Sequence, residues 1–363
     1  MMAKPISILI RVDSGHLVGS GHLMRCLALA DALRERGNSI AFVCRMLEGA
    51  LIERINAAGF RFGLIPPSRG NSEPLESIGM LHGNYLASSQ SEDASESVKF
   101  FDNICPDVVI IDHYGIDYRW HEAVNRDGRL KIAVIDDIAD RPHCCDLLVD
   151  QNFYADYERR YENLIPKASA RLLGPRFALI RPQFRSLREE MGNAIRNKWP
   201  AIKPRILVFF GGFDLLSYGI KIAELLLEDL GCSVDLMGAY DDTNQKLALN
   251  NLANKYGDRL KLTGHTSTPW LNMGAADLYI GAGGSVTWER FALGLPGIVY
   301  SVSKNQEVAS QDLDKAGYQV YLGSIENFCE RMLIYTIQSL LNAPTLQNIV
   351  QRTMALVDGR GLE

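Results

Sequence analysis

The chain has 363 residues, 47% of them hydrophobic and 22% charged, with a net charge of −5. That length exceeds what one core fills, so two domains are expected, and the acidic balance argues against general attraction to nucleic acid or an anionic membrane. Seven scattered cysteines without a Cys-x-x-Cys pair argue against a disulfide framework or a zinc site, and the absence of a long apolar run or a signal-peptide core leads us to expect a cytoplasmic protein.

Residues 6–10, apolar and β-branched between Pro5 and Arg11, predict a buried strand. Leu23, Leu27, Ala30 and Leu33 then recur at helical spacing, and Gly37 closes that helix. The intervening loop holds Gly15, Gly19 and Gly21, which let the backbone approach a ligand, while the helix start favours an anion. His22 stands at that start, where the positive helix end favours the neutral, base-competent imidazole. A simple capping histidine is the alternative. Met24, Arg25 and Cys26 break the Gly-x-Gly-x-x-Gly spacing, which disfavours a nicotinamide fingerprint.

Residues 40–44 predict a second strand, 49–59 a helix and 60–66 a third strand. Residues 68–96, rich in Ser, Gly, Asn and Glu, read as an insertion or a mobile surface loop. An apolar strand from 108 ends in Asp112, His113, Tyr114 and Gly115, at the carboxyl end where parallel sheets bind ligands. Asp112 could equally cap a turn. Residues 131–135 end in Asp136-Asp137, a pair able to hold a divalent metal, cap a turn or bond a sugar hydroxyl, and the metal-free reading is preferred. Residues 147–149 repeat the pattern, ending in Asp150-Gln151-Asn152. Strands alternating with helices predict a mostly parallel sheet covered on both faces.

Residues 177–184 lead into a charged stretch that reads as an interdomain connection. A new buried strand at 206–210 ends in a glycine turn at 211–214, followed by a helix at 218–230, so the second half repeats the build of the first. Strands at 234–237, 260–262 and 278–280 continue the alternation. The densest signal is Gly281-Ala282-Gly283-Gly284-Ser285 with Glu289 soon after: the glycines offer backbone N–H groups to a diphosphate. Glu289 can accept from two neighbouring hydroxyls, as a ribose offers, or merely complement the helix dipole. A strand at 298–300 leads to the polar loop Lys304-Asn305-Gln306, and two further helices follow from Leu322.

Four of these motifs occur in an order that resembles the hydrolases of pseudaminic acid biosynthesis, the PseG family: Gly-Ser-Gly-His22-Leu-Met-Arg, Ile-Asp-His-Tyr-Gly115, Gly-Ala-Gly-Gly-Ser-Val-Thr-Trp-Glu289 and Lys-Asn-Gln306. The resemblance runs over about residues 8–321. It implies a GT-B-like α/β fold, similar to the transferase MurG, with two Rossmann-like doubly wound parallel-sheet domains facing a cleft. The expected division is 1–185 for the domain carrying the base, 186–204 for the connection, 205–345 for a UDP-binding domain and 346–363 for a C-terminal helix and tail. The implied reaction is hydrolysis of UDP-2,4-diacetamido-2,4,6-trideoxy-β-L-altropyranose to UDP and the free sugar, which serves flagellin or surface glycans. The resemblance gives His22 the role of base, sets Tyr114 beside the sugar and assigns residues 283–289 to the nucleotide.

UDP is a good leaving group, so the chemistry needs chiefly a water deprotonated by His22, and attack from the opposite face inverts C1. Asp13, at the end of the first strand, is the expected orienting group for the imidazole. Arg11, Gly19, Gly21, Tyr114, Asn152, Arg181, Gly283, Gly284, Ser285, Glu289, Asn305 and Gln306 complete the expected substrate contacts. No metal or cofactor is expected; the partner is the UDP-sugar, and the protein is expected to be a monomer. A GT-B glycosyltransferase with an acceptor hydroxyl in place of water, and a sugar-nucleotide-binding protein without chemistry, are the alternative readings.

Overall fold

The computed structural model describes residues 4–67, 80–192, 203–211, 215–238, 243–264, 266–341 and 344–363. The chain divides into two compact units, Met1–Leu179 with Gly361–Glu363, and Ile180–Arg360. The first unit therefore ends at Leu179 rather than at 185, and the last residues of the chain return to it.

In the first unit, among the described residues, a seven-stranded sheet runs in the order β3-β2-β1-β4-β5-β6-β7. The strands are β1 (Ser7–Val12), β2 (Ser39–Arg45), β3 (Arg61–Ile65), β4 (Val108–Asp112), β5 (Lys131–Ile135), β6 (Leu147–Asp150) and β7 (Ala170–Leu173). Every pairing is parallel. Helix α1 (Gly21–Glu35) buries Leu23, Cys26, Leu27 and Ala30 against the sheet. It ends where Gly37, at φ 88°, donates its N–H to Arg34 O at 2.8 Å. Helix α2 (Ile52–Ala57) is shorter than expected.

Within the expected loop at 68–96, residues 68–79 lie outside the described residues, but the remainder is ordered structure. It forms a 3-10 turn (Gly83–Leu86) and α3 (Gln90–Val98), followed by α4 (Phe101–Ile104). The Ser89 hydroxyl accepts the Glu92 N–H at 3.2 Å, and Ser89-x-x-Glu92 is the capping-box pattern. Polar composition hid that signal. Helix α5 (Tyr118–Val124) is started by Asp117, whose side chain accepts the Arg119 N–H.

The second unit repeats the plan with a six-stranded parallel sheet, β10-β9-β8-β11-β12-β13, among the described residues. Its strands are β8 (Arg205–Phe209), β9 (Ser233–Met237), β10 (Leu260–Thr263), β11 (Leu278–Ala282), β12 (Gly297–Ser301) and β13 (Val320–Ser324). The last strand takes in residues 322–324, which the sequence reading gave to the start of a helix. The helices are α6 (Pro182–Met191), α7 (Leu216–Asp229), α8 (Thr243–Tyr256), α9 (Pro269–Ala275), α10 (Val286–Ala292), α11 (Glu307–Lys315), α12 (Glu330–Leu341) and α13 (Thr345–Leu356). Residues 186–191 are thus helix of the second unit, not connection: Phe184 on α6 is buried and meets Trp270 of α9 with ring centroids 6.1 Å apart. Residues 193–202 of the expected connection and the turn residues 212–214 lie outside the described residues.

Candidate active site

In the first unit the strand order reverses between β1 and β4, the position where open parallel sheets bind ligands beyond the strand ends. The two strands are in register, Ile10 opposite Ile110 and Val12 opposite Asp112. Ile8, Ile10, Val12 and Ile110 pack with Leu23, Cys26 and Leu27 of α1, whereas Leu9, Val109 and Ile111 pack with Ala94 and Trp120 on the other face. Side chains alternate along a strand, so Asp112 faces α1 while Arg11 and Asp13 face α3 and α5.

On the α1 side, His22, Arg25 and Cys26 share one helix face by their spacing, and all reach Asp112. His22 Nδ1 lies 2.6 Å from Asp112 Oδ1, Arg25 Nε donates to Oδ2 at 2.6 Å and its Nη2 to Oδ1 at 2.7 Å, and Cys26 Sγ lies 3.4 Å from Oδ2. Burial opposes ionisation of Asp112, but the Arg25 guanidinium and the His22 ring outweigh it and hold the carboxyl well below the usual carboxylate range. An ionised carboxylate only accepts, so the proton of a neutral His22 sits on Nδ1 and the lone pair on Nε2. Among the described residues no protein group bonds Nε2, and the side chain keeps 8% of its exposure. Arg25 Nη1 continues to Asp137 Oδ2 at 2.8 Å, and Asp137 in turn accepts the Tyr114 hydroxyl. Tyr114 meets His22 edge to face, centroids 4.3 Å apart at 84°.

Asp13 is engaged elsewhere, which corrects its expected role as the orienter of His22. It takes Arg11 Nη1 at 2.5 Å and Nη2 at 3.0 Å, the Arg45 N–H at 2.7 Å, and stands 3.1 Å from His113 Nε2. Arg11 also bonds Asp93 of α3 through Nε at 3.0 Å and Nη2 at 2.8 Å, and Arg45 and the Trp120 indole converge on the same carboxylate. Arg11 is fully buried with its charge matched inside the fold, so it is not positioned to touch a substrate. This network joins β1, β2, α3 and α5.

The turn at 83–86 docks on the end of β4. A Cβ on Gly115 would lie 2.8 Å from Leu86 N and 3.1 Å from Gly83 O, so only glycine admits that approach. Gln90 Nε2 ties α3 to Gly115 O at 2.7 Å, and the Leu81 N–H donates to Asp140 Oδ2 at 2.8 Å. The docked turn brings His82 and Tyr85 to Tyr114, with His82 stacked on Tyr114 at 5.4 Å and 27°, and His82 and Tyr85 4.6 Å apart. Gly19 adopts φ 80° in the loop before α1, and Gly21 opens the helix beside His22. Asn152 lies beyond β6, separated from β4 by β5, and its N–H donates to Asp150 Oδ1 at 2.9 Å; the structure does not bring it into the His22 group. Asp137, expected as part of a strand-end acidic pair, instead bonds Arg25 and Tyr114; Arg25, His82 and Tyr85 were given no role by the sequence reading. The helical spacing of His22 and Arg25 was a signal for Arg25, whereas only the fold reveals the other two.

In the second unit the strand order reverses between β8 and β11, and Gly283, Gly284 and Ser285 follow β11. Gly284 has φ 92°, and Cβ atoms on Gly283 and Gly284 would lie 3.0 Å from Ser310 Oγ and 3.5 Å from Gln306 Nε2, so Gln306 closes over this turn. Gln306 Oε1 is held by the Val302 N–H at 3.1 Å, and Asn305 Oδ1 accepts from Ser303 Oγ at 2.5 Å. Glu289 Oε1 accepts from Arg181 Nη2 at 3.0 Å, which brings two expected contacts together; burial raises the Glu289 pKa, and Arg181 opposes the rise. The Arg181 guanidinium lies 5.2 Å from the Trp270 ring centroid.

Among the described residues no group of three or more His, Cys, Asp or Glu could hold a metal ion, and no helix is long and apolar enough to cross a membrane. No family model matches the chain. It is 27% identical over 316 residues, 87% of this chain and 98% of the other, to the UDP-2,4-diacetamido-2,4,6-trideoxy-β-L-altropyranose hydrolase of Campylobacter jejuni. It is 24% identical to the uncharacterized protein MJ1062 of Methanocaldococcus jannaschii, over 88% of this chain and 61% of that protein. Among solved structures it is similar to MurG of Acinetobacter baumannii (TM-score 0.64, 13% identity, covering 98% of this chain and 96% of that one). It is likewise similar to the spinosyn rhamnosyltransferase SpnG (TM-score 0.66, 14% identity, 98% of both chains). These likenesses establish the fold: two parallel-sheet α/β domains of the GT-B type.

Proposed function

We propose that this chain is a UDP-sugar-processing enzyme that hydrolyses UDP-2,4-diacetamido-2,4,6-trideoxy-β-L-altropyranose to UDP and the free sugar. The observation that carries the reading is the His22–Asp112 pair at the strand-order reversal, with Nδ1 bonded at 2.6 Å and Nε2 unengaged among the described residues. The relative from Campylobacter jejuni, alike over almost its full length, supports the substrate.

In this reading Nε2 takes a proton from water as the water oxygen bonds to C1, and the C1–O bond to the diphosphate breaks with its electron pair leaving on UDP. Asp112 holds the ring in the reactive tautomer and stabilises the imidazolium that forms. The first unit supplies the base. The second binds UDP, its diphosphate on the backbone N–H groups of Gly284 and Ser285, because the Gly283 N–H donates to Tyr300 O at 3.3 Å, and its ribose hydroxyls on Glu289. Attack opposite the leaving group inverts C1.

The transferase reading shares this fold and base. Incubation of the purified protein with the UDP-sugar and no acceptor, followed by NMR of the anomeric proton, separates the two. Stoichiometric UDP and free sugar, with the inverted anomer first, is the expected result. UDP release only when an acceptor is added would replace hydrolysis by transfer.

A further inference from the structure

The segment that the sequence reading set aside as a surface loop puts an aromatic surface beside His22. His82, Tyr85 and Tyr114 form a triangle of rings with centroids 4.6, 5.4 and 6.3 Å apart, and Tyr114 touches the His22 ring. Tyr114 is buried, and its hydroxyl is consumed by Asp137, so what it offers its neighbours is ring surface. His82 and Tyr85 are half-buried, and Leu81 beside them is 52% exposed. Among the described residues the His82 Nε2 is sealed without a hydrogen-bond partner, and the side chain does not cap the turn it precedes. Stacking, not polar bonding, therefore fixes its ring. Burial, reinforced by the Arg141 guanidinium and only partly offset by Asp140 and Asp137, resists its protonation, which leaves an uncharged aromatic face. A buried polar atom left unpaired carries a stability cost, so this placement calls for a reason beyond folding.

We propose that His82 and Tyr85, backed by Tyr114, are sugar-specificity residues: they form a shelf for the apolar part of the sugar, a deoxy-carbon methyl or an N-acyl methyl group. The inference rests on the UDP-sugar reading above and deepens it. Aromatic rings bury apolar groups with a large contact area, and the shelf touches the same Tyr114 that touches the base. A single methyl group in an apolar site discriminates by roughly 10- to 200-fold, which sets the scale of the effect.

The test uses the full chain carrying His22→Asn to block turnover, and calorimetry with UDP and with UDP-2,4-diacetamido-2,4,6-trideoxy-β-L-altropyranose. The expected result is that the UDP-sugar binds more tightly than UDP. Adding Tyr85→Leu or His82→Gln should remove at least about tenfold of that increment without moving the Kd for UDP, and His82→Phe, which keeps the ring, should restore it. In the turnover-competent protein, the same substitutions should lower kcat/KM mainly through KM. An increment unchanged by Tyr85→Leu and His82→Gln, or lost equally in His82→Phe, overturns the shelf, as does a parent protein that binds UDP and the UDP-sugar equally. If the increment depends on the shelf but the turnover-competent protein releases no UDP, the shelf stands and hydrolysis falls.

Discussion

Replacing Asp112 by Asn removes one charge and hardly any volume from the centre of the His22–Arg25 cluster. The carboxylate accepts His22 Nδ1 at 2.6 Å and two Arg25 nitrogens at 2.6 and 2.7 Å. An amide cannot serve all three donors, and if its NH₂ turns to His22, the ring proton moves to Nε2 and the base is lost. Breaking a buried, hydrogen-bonded charge pair costs about 3–5 kcal/mol. If that falls on the imidazolium-like transition state, kcat drops by about 10²- to 10⁴-fold. The Kd for UDP should not move, because the nucleotide is assigned to the second unit. UDP release under saturating substrate, calorimetry with UDP and a denaturation curve measure the three quantities. Asp13→Asn is the control: it breaks the Arg11–Asp13 pair, so it should cost about 3–5 kcal/mol of stability, while the folded fraction turns over at close to the parent rate. A folded Asp112→Asn protein within threefold of the parent kcat would refute the assignment, and so would an Asp13→Asn protein that folds well but is inactive.

Glu289→Gln should weaken UDP binding by about tenfold in calorimetry, through loss of charge-assisted bonds to the ribose; an unchanged Kd would remove Glu289 from the nucleotide site. Gly115→Ala drives a Cβ to 2.8 Å from Leu86 N, so urea denaturation should show a loss of about 1–3 kcal/mol. Stability should fall in mild acid. Burial lowers the pKa values of His113, His121 and His143 below the ordinary 6.5, so below that pH the unfolded chain binds protons that the folded chain refuses. Each such histidine removes up to about 1.4 kcal/mol per pH unit between 6.5 and its folded pKa. Asp150, pushed up to about 8 by burial, works in the opposite direction as pH falls below 8, and the three histidines should outweigh it: the urea midpoint should be lower at pH 5.5 than at 7.5, and His121→Phe should shrink the difference; a difference unmoved by His121→Phe contradicts the burial argument.

Much of the fold was legible because its signals are local. Strands of four to six apolar residues, helices at 3.6-residue spacing and glycine turns after strand ends announce parallel α/β units whatever packs on them. Misreadings came where composition conflicted with tertiary support. α3 is polar, yet Ser97 is buried, and Asp93 is buried under two arginines and a tryptophan. α6 is rich in charge but anchors on Phe184. The strand Val320–Ser324 gains its partner from β12, a relation that no window along the chain contains.

By itself the sequence determined the type of most elements around the site and placed His22 at the first turn of α1 and Asp112 at the end of an apolar strand, because each depends only on near neighbours. Tertiary structure decided which carboxylate serves the histidine. Asp13 and Asp112 both end parallel strands, but register and the two-residue alternation turn Asp112 toward α1 and Asp13 toward the Arg11–Asp93 network. A side chain's face is set by what covers the sheet, and that covering comes from residues remote in the chain.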